Sequence, residues 1–104
     1  MAYNRSPLSF DDIREAFERA INSPKGISIE CKDRGAAVVL RSRFNYLRTL
    51  DRQENMKTYT AEHPMWNRSV YDRFVLSIPP KGDPQEHVLF IRPRSAEDLD
   101  IKEL

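Results

Sequence analysis

The sequence predicts a small α+β domain, two helices packed on a mostly antiparallel sheet, in the order α-β-α-β-β. Three observations carry the prediction. Apolar residues recur at helical spacing over 9–22 and 36–53; short alternating or β-favouring runs occupy 27–31, 73–78 and 87–92; and turn-rich segments separate them. A chain of 104 residues accommodates one such domain. Residues 1–94 are read as the globular unit, and 95–104, SAEDLDIKEL, as an acidic tail that either adds an edge strand or stays loose.

The first helix, SFDDIREAFERAIN (9–22), places Phe10, Ile13, Phe17, Ala20 and Ile21 on one side. Ser9 is a natural N-cap with Asp12 three residues on, Leu8 and Ile13 stand at the staple positions, and Asp11 and Asp12 favour the positive end of the helix dipole. Pro24 and Gly26 end it. In GISIECKDRG (26–35), Ile27, Ile29 and Cys31 alternate with Ser28 and Glu30, the pattern of a half-buried strand, and Cys31 reads as a small hydrophobe. The second helix gathers Ala36, Val39, Leu40, Leu47 and Leu50, flanked by Phe44 and Tyr46. Residues 54–69 show no sustained period and read as a connection, with a turn near SVYD. RFVLSI (73–78) and HVLFIR (87–92) enclose PPKGDPQE, a hairpin with a long loop. The expected core includes Phe10, Ile13, Phe17, Ile29, Leu40, Leu47, Phe74, Leu76 and Phe90.

Composition narrows the function classes. With 39% hydrophobic residues and a net charge of +1, the chain lacks the signature of disorder. A lone cysteine rules out an internal disulfide and argues against a secreted scaffold. The opening MAYNRSPLSFDD has no apolar h-region, and no apolar run approaches the roughly 20 residues of a membrane span. A cytoplasmic or nucleoid-associated protein with no membrane partner is therefore expected.

The near-neutral total hides a basic middle. Residues 31–81 carry ten Lys and Arg against five Asp and Glu, while 82–104 carry three against six. Twelve of the seventeen basic residues are arginine, whose planar fork matches phosphate and carboxylate. On a helical wheel Arg41, Asn45, Arg48 and Arg52 fall within about 60° of one another, with no carboxylate among them. Arg43 lies instead in the apolar sector, where a structural role is expected. Arginines neutralise phosphates, and Arg and Asn read guanine and adenine edges in the major groove. A second group, Trp66, Arg68, Tyr71 and Arg73, interleaves aromatics with arginines; it either stacks on unpaired bases or caps the core edge.

The favoured reading is a small non-enzymatic nucleic-acid-binding protein, with DNA ahead of RNA, that uses Arg41, Asn45, Arg48, Arg52, Arg68, Arg73 and Trp66. The competing reading is an adaptor or inhibitor gripping an acidic protein surface through the same arginines. An enzyme is not expected: there is no glycine-rich phosphate loop, and His63, Ser69 and Asp72 are triad residue types of chance composition. No metal or organic cofactor is expected, because Cys31, His63 and His87 lack ligand spacing.

Overall fold

The computed structural model describes residues 9–94; the acidic tail, and Leu8 of the expected staple, lie outside them. Helix α1 spans Phe10–Ile21 and helix α2 spans Arg34–Thr58. Strands β1 (Ile27–Glu30), β2 (Phe74–Ser77) and β3 (Val88–Pro93) form one sheet in the order β1-β3-β2. Both pairings are antiparallel, so the fold is α+β in the expected order. Both helices pack on the central strand β3.

Helix α1 follows its local signals. The Ser9 side chain accepts from the Asp12 N–H, and Asp12 accepts in return from the Ser9 N–H, closing a capping box. Ile13, Phe17 and Ala20 are buried, whereas Phe10, at the first turn, is 38% exposed rather than core. Gly26 then turns the chain into β1 at φ +86°, and a Cβ there would stand 2.1 Å from the Ile91 carbonyl oxygen. Gly26→Ala should therefore destabilise the protein by well over about 1 kcal/mol, read as a lower denaturation midpoint with unchanged slope.

Helix α2 is longer than the 36–53 the sequence predicts. Asp33 caps it, its carboxylate accepting from the Ala36 N–H at 2.8 Å. At the other end residues 54–58 continue the helix, because Glu54, Met56 and Lys57 are good helix formers and no breaker intervenes. Its buried face is also turned by roughly 70° from the expected one. Ala37, Leu40, Phe44, Leu47 and Arg48 are buried, while Val39 is 61% and Tyr46 54% exposed.

The core is centred on Phe17. Its ring stacks on Tyr71 at 4.4 Å, meets Phe44 edge-on at 4.8 Å and lies 5.9 Å from Phe74. From the sheet, Leu89 and Ile91 complete it, with Ile27, Ile29 and Leu76 half-buried against them. The expected burial of Phe90 is corrected. Side chains alternate along β3, so once Leu89 and Ile91 point inward Phe90 points to the other face, where it is half-buried. Cys31 packs at the core edge. Burial, then the charge of Asp33, pushes its thiol pKa up, which makes it a poor nucleophile at neutral pH.

Candidate nucleic-acid interface

The rotation of α2 changes what its arginine stripe can do. Arg48 is only 8% exposed and points into the protein, donating to the backbone carbonyls of Phe74 at 3.0 Å and Tyr71 at 3.3 Å. It also donates to the side-chain oxygen of Asn45, occupying an acceptor that base reading would need. Arg52 grips Asp72 with a two-pronged contact, Nε at 3.2 Å and Nη2 at 2.5 Å. The stripe expected to be exposed and unpaired is thus, at Arg48 and Arg52, a seam that fastens α2 to the segment leading into β2. Asp51, which faces the same way, accepts from Arg14 and from the Ser69 hydroxyl. Arg41 stays half-exposed at the head of the stripe. Arg43, half-buried, sets its guanidinium 5.5 Å from the Phe10 ring centroid, in keeping with a structural role.

The segment held by this seam is a single 3-10 turn, Val70–Arg73, capped by Ser69. The Ser69 hydroxyl accepts from the Tyr71 N–H, and the Asp72 carboxylate accepts from the Ser69 N–H at 2.9 Å. Burial pushes the Asp72 carboxyl up, but the bonds from Arg52 and Ser69 outweigh it, so its pKa lies below the usual carboxylate range. A depressed folded-state pKa contributes stability that is present above the unfolded value, near 3.9, and is lost as pH falls through the folded value. Asp72→Asn should accordingly be less stable than the parent at pH 7. The gap should close as pH drops below about 4, measured by denaturant titration at each pH.

Around this turn the positive charge exceeds what Asp72 neutralises. Burial lowers the pKa of Arg48; Asp72 opposes this, and the neighbouring cations Arg52 and Arg94 add to it. Arg94 donates through Nε to the Asp72 carbonyl at 2.8 Å, and its N–H meets the Arg73 carbonyl at 2.8 Å, extending the β2–β3 ladder by one pair. Arg73 and Arg94 are both exposed at that end. The Arg73 guanidinium lies 5.7 Å from the Phe74 ring. Arg92, one alternation before Arg94, bonds the Ser77 hydroxyl at 3.2 Å and lies 5.0 Å from the Phe90 ring. Among the described residues none of Arg73, Arg92 and Arg94 meets a carboxylate.

The second sequence-derived group is divided. Tyr71 belongs to the core and its hydroxyl donates to Glu18 at 2.7 Å. Trp66 is half-buried in the turns after α2, where His63 stacks on Tyr59 at 4.0 Å. Arg68 is exposed, its carbonyl held by Asn55 one turn beyond Arg52. His63 accepts from the Met65 N–H, while Ser69 and Asp72 share the capping box of the 3-10 turn and Asp72 also binds Arg52. Among the described residues no group of three or more His, Cys, Asp and Glu side chains is placed to hold a metal ion. No described helix is long and apolar enough to cross a membrane.

Of the exposed arginines at this end of the sheet, the sequence singles out Arg73 and not Arg92 or Arg94, and it places Phe90, which lies beside Arg92, in the core. The signal for them is the alternation in VLFIRPR, in which Phe90, Arg92 and Arg94 share one parity. No protein-family model, curated protein or solved structure matches the chain.

Proposed function

We propose that the protein binds nucleic acid, with Arg73, Arg92 and Arg94 at the end of the β2–β3 ladder contacting the phosphate backbone. One observation carries this reading. All three arginines are exposed, and their partners are rings, a hydroxyl and a backbone carbonyl rather than carboxylates. Their positive charge is thus available to an anion. Arg48, buried behind them and partnered by carbonyls, positions the turn that bears Arg73. Arg41, half-exposed, and Arg68, exposed, likewise have no carboxylate partner among the described residues.

Phosphate contacts release counterions, so log affinity falls linearly with log salt by about 0.7 to 0.9 per contact. The double variant Arg73→Ala/Arg94→Ala should flatten that slope by roughly 1.4 to 1.8 and weaken binding across all sequences. Asn45→Ala should change neither, since its side-chain oxygen already serves Arg48. Electrophoretic shifts with single-stranded and duplex DNA and RNA over a salt series measure both quantities. Failure of the parent to bind any of them at low salt would overturn the reading and leave an acidic protein surface as the partner of these arginines.

A further inference from the structure

The helices cover one face of the sheet; on the other Val88 is buried, Val75, Ser77 and Phe90 are half-buried, and Ser28 and Arg92 are exposed. Phe90 sits on the central strand, paired with Ser28 of β1 on one side and Ser77 of β2 on the other. Strands lie about 4.8 Å apart, so the half-buried ring is flanked across both ladders by short hydroxyl side chains. Along β3, Arg92 has the same parity as Phe90 and stands opposite Val75. Its guanidinium lies 5.0 Å from the Phe90 centroid and is fixed there by the Ser77 hydroxyl. Among the strand positions of this face the one carboxylate is Glu30, at the far end of β1, and it is paired with His87 at 3.1 Å. Phe90 lies outside the core cluster, to which Leu89 and Ile91 of the same strand contribute.

We infer that this face takes single-stranded nucleic acid, with a base stacking on the Phe90–Arg92 pair and adjacent phosphates meeting Arg92, Arg94 and Arg73. The inference rests on the nucleic-acid reading above and specifies its substrate. Base–aromatic stacking needs a free base face, which an unpaired strand offers and a paired, stacked duplex withholds. A guanidinium plane stacks on bases as an aromatic ring does, so Arg92 extends the platform while its charge stays within reach of the backbone. Residues 90, 92 and 94 advance about 7 Å per step along β3, which sets ring and cations in a row along which a strand can run.

The test is equilibrium fluorescence anisotropy with the full chain and labelled oligo-dT, oligo-rU and a mixed-sequence duplex, each of about 12 nucleotides or base pairs. At least one single strand should bind more tightly than the duplex, and the tighter of the two identifies the sugar. Phe90→Leu keeps an apolar side chain on the sheet and removes the π face. It should weaken single-strand binding about tenfold and leave duplex binding unchanged in a protein that still unfolds cooperatively. Phe90→Tyr should restore the parent affinity. A parent that prefers the duplex, or a Phe90→Leu variant that binds single strands like the parent, overturns the inference. If Arg73→Ala/Arg94→Ala weakens binding in that second case, the nucleic-acid reading stands and only the stacking platform fails. If the parent binds none of the three probes at low salt, both fail together.

Discussion

Phe17→Ala should lower the stability of the folded protein by roughly 3–5 kcal/mol, the range for emptying a phenylalanine site in a packed core. Phe17 is fully buried, and three other rings, Tyr71, Phe44 and Phe74, are arranged around it. These rings come from the 3-10 turn, α2 and β2, so the cavity left by alanine would lie where most of the elements meet and could not be closed by moving one of them. In a domain of this size the loss corresponds to a fall in melting temperature on the order of 15 °C or more. Differential scanning calorimetry reads it directly. A shift of a few degrees would mean that the cluster closes over the gap and that Phe17 is not its centre.

Arg48→Ala is expected to cost roughly 1–3 kcal/mol, because the Phe74 carbonyl would lose its buried side-chain donor, while the Tyr71 carbonyl keeps the Phe74 N–H. A surface arginine would cost a few tenths. Arg48→Lys should recover only part of the loss, since one ammonium on a flexible stem does not reproduce the planar fork. The same variant separates two roles for this residue. If Arg48 is a positioning residue, Arg48→Lys retains the salt slope of nucleic-acid binding while its denaturation midpoint falls. A contact that reads bases would show the reverse, an unchanged midpoint and an altered sequence preference.

Arg48 also explains why the fold was more legible in the sequence than the site. Helix α1 carries its own instructions: a capping box, an apolar face of helical period, and a Pro and Gly terminator. Its reading needed no tertiary information, except at Phe10, whose first-turn position leaves it at the edge of the core. Helix α2 is different. Its apolar residues are spread widely enough that Val39 and Tyr46 pulled the inferred core face toward themselves, yet both are exposed. What fixes the true orientation is polar: Arg48 and Asp51 reach across to residues 69–74, more than a dozen positions away in sequence, and no local pattern announces that partnership. The extension of α2 through 54–58 was hidden for a related reason. Periodicity reports a face that packs, whereas these residues are helical by propensity while largely exposed.

Strand β3 shows the same limit at the scale of one residue. Both of its alternating sets begin apolar, Val88 and Phe90 against Leu89 and Ile91, so hydrophobicity alone does not say which set faces the helices. Pairing with β1 resolves it, since Ile27 and Ile29 lie opposite Ile91 and Leu89. That parity, unavailable to a reading of β3 in isolation, moves Phe90 out of the core and beside Arg92. The arginine bias of the sequence suggests an anionic partner; the register shows that Arg92 stands on the face away from the helices and beside Phe90.

Mapping amide shifts of the isotope-labelled full chain by NMR during titration with a short oligo-dT or oligo-rU tests this assignment most directly. The expected result is saturable perturbation of Arg73, Val75, Ser77, Phe90, Arg92 and Arg94, with the exposed side of α2 around Tyr46 little changed. Perturbations confined to α2 between Arg41 and Arg52, with the β2–β3 face silent, would contradict it and return the interface to the helix.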